Sequence, residues 1–538
     1  MRKLRMNRRK FMSLGTVAGL QFTLGSPLLA ADAKGSARGI VYDAGERAHP
    51  RRGQGIAGVK VSNGREVVVT DAQGRWELPV LDAPHTIFFV IQPRGWRVPV
   101  DALQIPRYFH IHCPKGSTHL KYGGLQPTGA SLPAEIAFGL FRCEEPEEFK
   151  WLLIGDPQSR NEQQLRYLSH HLPEQLRNET ADFGLVQGDV VWDRPNLFKP
   201  TAKLLAMGGK PMWYIFGNHD IDYDAPDNVQ AADSYKQVFG PTYYAFDHGA
   251  LHFIMLNSVI WEGGSAGGNY RGGIDPIQMT FIENDLKHVH PEQPVVIAMH
   301  IPLKSSTGTH ERAIIMNGAE LLRRFQRHNL IFATAGHRHL LQHFYLDRDF
   351  GWSGSKPLHH FTNAATCGTW WRGDPDVDGV PHATMRDGAP RGYTISHYRK
   401  GRVYLDFRAT GAAAGHQIHI ITDPADSDFG RLTQRTFYAN VFMGCERTTV
   451  RFRVVGESDW MPMEQSFEPC PRYAALVERS KALKPPYSKL NNPEQSLHLW
   501  RAQLPENIPA GEHQLEVSAT DSSERIHRAS QWFAFNPA

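Results

Sequence analysis

Cysteine is scarce. Five residues (Cys113, Cys143, Cys367, Cys445 and Cys470) in a chain of 538 form an odd set with no CxxC pair. That argues against a disulfide scaffold or a zinc ribbon, although Cys445 and Cys470 are candidates to pair in an oxidising compartment. Long apolar runs are scarcer still. The one moderately apolar stretch, Ser13 to Ala30, contains Gly15, Thr16, Gly19, Gln21, Thr23, Gly25 and Pro27, and so is less apolar than a membrane span of about 20 residues. Charge of one sign is also missing. The formal charge of +4 comes largely from residues 1–33, and the rest holds 53 Lys and Arg against 54 Asp and Glu, a charge near −1. Binding a phosphate backbone calls for concentrated positive charge, so nucleic acid is not an expected partner. No internal repeat or low-complexity tract is evident.

What is present begins with Asn7-Arg8-Arg9-Lys10-Phe11-Met12 ahead of the apolar stretch, with Ala31-Asp32-Ala33 as a small-x-small cleavage site. This is the layout of a twin-arginine signal peptide, which predicts export to the periplasm or beyond and no stable membrane span after cleavage. The alternative is an uncleaved N-terminal anchor. No cysteine follows the run, so a lipid anchor is not expected.

Length implies about three domains, and three textures follow one another. Residues 36–120 alternate apolar and polar in short runs such as Gly58 to Ser62 and Glu66 to Thr70, with Asn63-Gly64 and Gln73-Gly74 read as hairpin turns. They predict a small β-sandwich, and Tyr122 to Pro133 reads as a linker. From about Phe149 to residue 415, continuous apolar runs (Trp151–Ile154, Phe183–Val186, Met212–Phe216, Leu251–Leu256, Val295–Met299, Leu330–Thr334) alternate with helical spacing at Gln163 to Leu176 and Ala319 to His328. That is an α/β domain with both sheet faces covered. Residues 429–538 return to alternation and predict a second sandwich.

Polar blocks follow five of those runs: Asp156 and Gln158; Gly188-Asp189; Gly217-Asn218-His219-Asp220; His300; and Gly336-His337-Arg338-His339. In open α/β sheets, ligands bind outside the carboxyl ends of the strands. Carboxylate, amide and imidazole are the donors that hold borderline divalent metals, and glycine lets backbone approach an ion. Singly, each block is as easily a helix cap or a polar residue with ordinary partners.

Taken in order, the blocks resemble the calcineurin-like metallophosphoesterases, whose pattern runs D-x-H, GD, GNH(D/E), H, GHxH. The resemblance spans roughly residues 149–410. The flanks are similar to the sandwiches of one bacterial branch of that family, the front one to the carboxypeptidase regulatory-like fold. It implies a central four-layer αββα sandwich and two divalent ions (Mn, Fe, Zn or Mg). Asp189 would bridge the ions, Asp156, Gln158 and His339 would complete one site, and Asn218, His300 and His337 the other. His219 would protonate the leaving oxygen, with Asp220 orienting its ring. Gln158 stands where the family usually has His; its carbonyl oxygen is a harder donor that would favour Mn, Fe or Mg over Zn, or it only hydrogen-bonds nearby.

The implied activity is hydrolysis of a small phosphomonoester or phosphodiester by a hydroxide held between the ions. The alternative is a non-catalytic scaffold with a decayed metal site. Loops at Trp261 to Gly264, Asn269 to Arg271 and Cys367 to Arg372 would either line the mouth or pack on the flanking domains. The sequence sets no oligomeric state.

Overall fold

The computed structural model describes residues 35–47, 49–264, 269–423 and 429–537. The twin-arginine segment expected at 1–33 lies outside them. Among the described residues, no helix is long and apolar enough to cross a membrane.

The centre is a pair of mixed sheets. The first runs Met212–Tyr214, Phe183–Val186, Phe149–Ile154, Gly392–Arg399, Arg402–Ala409, its first three strands parallel. The second runs Tyr244–His248, Leu251–Met255, Pro294–Ala298, Asn329–Ala335, Leu358–Thr362, Gln342–Leu346, with four parallel strands inside two antiparallel edges. Trp151 to Ile154 are fully buried, as expected where both faces of a strand are covered. Aromatic rings join the sheets: Trp151 meets Phe253 edge-on at 5.4 Å, Phe183 meets Phe246 at 5.5 Å, and Trp213 stacks on Phe246 at 4.2 Å. Helices flank this pair, which gives the four layers.

One expected helix is two. Leu165, Leu168, Leu172 and Leu176 keep helical spacing across Gln163 to Leu176, yet the chain forms Glu162–Ser169 and Leu172–Asn178 with a break at His170-His171. Pro173 explains the break. Its ring is tolerated in the first turn of a helix but not in the interior, so the second helix must begin beside it.

The front sandwich packs two four-stranded sheets, Arg75–Pro79, Ser36–Asp43, Ile136–Arg142, Trp96–Arg97 and Val67–Val69, Lys60–Ser62, Thr86–Val90, Phe109–His112. Its last-formed strand, Ile136–Arg142, pairs in parallel with Ser36–Asp43, so the sandwich runs past residue 120. Tyr122 to Pro133 therefore lies within this domain and does not lead out of it. Asn63 does turn a hairpin, its Oδ1 accepting the amides of Arg65 and Glu66. Gln73-Gly74 does not: it carries the chain from one sheet to the other.

This domain shares its core with the centre. Tyr108 lies 5.0 Å from Trp213 and 5.1 Å from Tyr244, and Phe89 lies 5.7 Å from Phe281. A buried ion pair crosses the same seam, Lys60 Nζ to Asp285 Oδ1 at 2.7 Å. Asp285 Oδ2 meets His252 Nε2 at 2.7 Å, and His252 Nδ1 meets Asp247 at 2.6 Å.

The rear sandwich has its own core, built on residues such as Phe437, Val454, Leu515 and Phe533. It starts at Ile418–Ile421, ahead of residue 429, and among the described residues contains one helix, Pro471–Ser480. Cys445 and Cys470 are free, as are the other three cysteines, so the possible pairing does not form.

Candidate metal centre

Every polar block follows the carboxyl end of a parallel strand: Asp156 after Phe149–Ile154, Asp189 after Phe183–Val186, Asn218 and His219 after Met212–Tyr214, His300 after Pro294–Ala298, and His337 after Asn329–Ala335. The structure brings all nine expected residues to one rim. A side chain has no room on the glycines that precede them. A Cβ on Gly217 would lie 2.1 Å from the Asp189 amide nitrogen, one on Gly188 2.5 Å from His300 Nδ1, and one on Gly336 2.6 Å from Asp156 Oδ2. Five of the expected metal ligands (Asp156, Gln158, Asp189, His337 and His339) have left-handed backbone, with φ from 41 to 72°. Non-glycine residues rarely adopt it, at a cost on the order of 1–3 kcal/mol each, and such strain gathers at functional sites.

Hydrogen bonds fix which ring nitrogens remain free. A carbonyl can only accept, so His300 donates Nδ1–H to Gln187 (2.8 Å), His337 donates Nε2–H to Arg312 (2.7 Å), and His339 donates Nδ1–H to Gly368. The remaining lone pairs turn inward. His300 Nε2 lies 3.1 Å from Asp189 Oδ1, 3.0 Å from Asn218 Oδ1 and 3.2 Å from His337 Nδ1. Ligands about 2.0–2.2 Å from a shared ion stand at such separations. Acceptors crowded together need positive charge among them, a metal ion or, without one, a second proton on His300, and the donor set fits a metal. Asp189, His300 and His337 all offer ligand atoms within 4.8 Å of one another.

The electrostatics agree. Burial opposes charge on His300, but the Asp189 carboxylate outweighs it and the pKa is raised to about 9. Burial likewise opposes ionisation of Asp189, yet His300, His219 and His337 hold its carboxyl well below the usual range. The pocket calls for positive charge.

Asp156, fully buried, accepts the His337 amide at 3.1 Å, and its Oδ1 lies 3.5 Å from His339 Nε2. Gln158 is placed differently from a carbonyl ligand: its Nε2 donates to Asp189 Oδ2 at 3.0 Å, and its Oε1 faces the Cys367 thiol at 3.6 Å. Burial, helped by Asp156, pushes that thiol's pKa well up, so Cys367 is a packing residue and no nucleophile.

Asp220 does not orient His219. Its carboxylate is turned inward, accepting the amides of Val191 at 3.2 Å and Gly217 at 2.9 Å, and so ties two ligand-bearing loops together. The ring partner is Asp193, whose Oδ1 lies 2.7 Å from His219 Nδ1 and also accepts the Tyr223 hydroxyl at 2.8 Å. Sequence reasoning missed both. Asp193 closes the same loop that opens with Asp189, and that shared loop was the available signal. Burial lowers the His219 pKa, but Asp189 and Asp193 raise it by more.

Of the loop residues, Tyr270 stands edge-on to His337 at 6.4 Å. Trp370 lies 4.5 Å from His339. Trp261 is buried against Tyr223, and Trp371 is buried too.

Two sheets with their polar loops at one rim, and a donor set that fits a divalent metal, make the frame of a metal-dependent hydrolase. The chain belongs to the calcineurin-like phosphoesterases. Residues 149–341 match the calcineurin-like phosphoesterase model, 44–122 the model for the N terminal of that family, and 360–527 the model for its C terminal. Two solved structures are distantly similar. A dimetal phosphatase from Danio rerio is 15% identical, over 49% of this chain and 96% of that one, with a TM-score of 0.34. A purple acid phosphatase from yellow lupin (Lupinus luteus) seeds is 11% identical, over 65% of this chain and 66% of that one, with a TM-score of 0.35. No curated protein matches the chain.

Proposed function

We propose that the protein hydrolyses a small phosphomonoester or phosphodiester outside the cytoplasm, after export by the twin-arginine route, using two divalent ions. The observation that carries this reading is the convergence of His300 Nε2, His337 Nδ1, Asp189 Oδ1 and Asn218 Oδ1, with both imidazoles tied off at their other nitrogen. Asn218, His300 and His337 would hold one ion, Asp156, His339 and Gln158 the other, with Asp189 between them. When bound, such ions supply positive charge against the phosphoryl oxygens and acidify the attacking water.

The chain's own residues do the rest. Asp189 and Asp156 would hold the cations in place by charge, and the phosphoryl group would be oriented against them. Asp193 holds Nδ1–H of His219, which leaves Nε2 to give a proton to the departing oxygen. Trp192, whose ring lies 5.0 Å from His219, shields that transfer from bulk water. A decayed scaffold has no use for an oriented acid beside its former metals, and this favours the enzyme.

The test is to load the purified protein with Mn, Fe, Zn or Mg in turn, measure bound metal, and assay aryl phosphate mono- and diesters. Two ions per chain and chelator-sensitive turnover are expected. A chain that binds metal but turns over no phosphoester, or that works undiminished without metal, would overturn the reading.

A further inference from the structure

The surroundings of His219 bear on what the phosphate is attached to. Its Nδ1 is held by Asp193, so Nε2 is the nitrogen that can reach an ester oxygen. The group on that oxygen must lie against the surface beside the ring, and that surface is indole. Trp192 lies 5.0 Å from His219 at 42°, Trp370 lies 6.1 Å from Trp192 at 69°, and Trp370 lies 4.5 Å from His339 at 31°. The two indoles form a steep corner running from the acid to a metal ligand, and both are partly exposed.

The chain keeps this corner at a cost. Trp370 and Trp371 both have left-handed backbone, at φ 50 and 57, which bulky residues rarely adopt unless their surroundings enforce it. Trp371 is compensated by burial, 4% exposed against Tyr167 and the Arg391 guanidinium. Trp370 packs against the edge of the core and has the Arg386 guanidinium 5.7 Å from its ring centroid, yet it remains partly open in a conformation that suits glycine or asparagine, held over His339 and across from Trp192. Arg160 stiffens the other wall, with its guanidinium 4.1 Å from the centroid of Trp192.

We propose that the leaving group is an alcohol bearing a flat ring, seated in the Trp192–Trp370 corner with its face on one indole and its edge to the other. Aromatic groups prefer these two contacts, at centroid separations of about 4.5–7 Å. A short alkyl group would leave both indoles wet. The assignment rests on the phosphoesterase reading, and makes Trp192 and Trp370 specificity residues of that site.

The test uses the metal-loaded protein and phosphate mono- and methyl diesters of 2-phenylethanol and 1-butanol, whose similar acidity makes similar demands on His219. Each ester is also measured as a competitive inhibitor of nitrophenyl ester turnover, so one that is cleaved slowly still reports binding. The ring ester should be preferred on the order of tenfold or more in kcat/KM or in inhibition, which is the size of a single stacking contact. In Trp192→Leu and in Trp370→Leu the ratio should fall to about one, while Trp192→Phe keeps part of it. Circular dichroism and metal content identify any variant that does not fold. A wild-type ratio near one, with the esters cleaved or bound, would overturn the corner and spare the phosphoesterase reading, as would a ratio that survives both leucine variants. If no phosphoester is cleaved, the nitrophenyl esters included, the reading fails and takes the corner with it.

Discussion

Asp193 Oδ1 lies 2.7 Å from His219 Nδ1, whereas Asp220, the next residue in the chain, turns its carboxylate away to the amides of Val191 and Gly217. Orientation of the acid and integrity of the rim are thus assigned to different carboxylates. His219→Ala should keep its metals and lose about 10²–10⁴ in rate on an alkyl ester, and less on a nitrophenyl ester whose leaving group needs little protonation. Asp193→Asn should show the same pattern at about 10- to 100-fold. Asp220→Ala should instead lower thermal stability, because it leaves two buried amides unpaired at about 1–3 kcal/mol each. Equal losses on both esters for Asp193→Asn would show that the aspartate acts otherwise.

Gln158 offers its amide nitrogen to Asp189. To become a ligand, the amide must turn its oxygen inward when a cation is present. Gln158→Ala should then weaken one ion selectively in a metal titration. Gln158→His should restore that ion and shift preference towards zinc, since imidazole is the softer donor. Two ions held with unchanged affinity in the alanine variant would mean that Gln158 only positions Asp189.

The Lys60–Asp285 pair is buried, with side-chain exposures of 10% and 0%. Lys60→Met leaves the Asp285 carboxylate to His252 alone and should cost less than the ~3–5 kcal/mol of a fully unpaired buried charge in denaturant unfolding at pH 7, part of it recovered by adding Asp285→Leu. Burial and Lys60 both lower the His252 pKa, but Asp285 and Asp247 raise it by more. A raised value means that its contribution is complete below about pH 6.5 and is lost as pH rises through the folded value. Stability should therefore decline as pH rises above about 6.5 towards the folded value, and His252→Gln should flatten that slope. Burial opposes ionisation of Asp285, but Lys60 and His252 depress its pKa. Its share is present above about pH 3.9 and is lost only as pH falls through the lower folded value.

Export is tested by Arg8→Lys with Arg9→Lys, read by cell fractionation. A twin-arginine signal predicts retention of the folded protein inside the cell. Undiminished delivery would discard the route.

The strands and the site were legible for one reason: strands buried on both faces are continuous apolar runs, and the polar blocks that follow five of those runs are the residues that gather at the rim. What stayed hidden depends on direction in space. Asp220 and Asp193 are equally plausible partners for His219 until the backbone is seen, and the left-handed turn at Asp193 (φ 54) is what aims it. Leucine spacing runs unbroken through His170-His171, so only Pro173 marked two helices. The reach of the front sandwich to Arg142 was invisible because parallel pairing between Ser36–Asp43 and Ile136–Arg142 joins segments about a hundred residues apart.

That pairing also sets an order of events during synthesis. As the chain leaves the ribosome, Ser36–Asp43 waits for its parallel partner until residue 142 has emerged, and Phe89 and Tyr108 wait longer, for Trp213, Tyr244 and Phe281. The front domain cannot finish before about half of the catalytic domain is made, and its apolar face stays open to chaperones throughout. The rear sandwich, made last, builds a core of its own and docks on the centre through Phe442, which meets Phe407 at 5.8 Å.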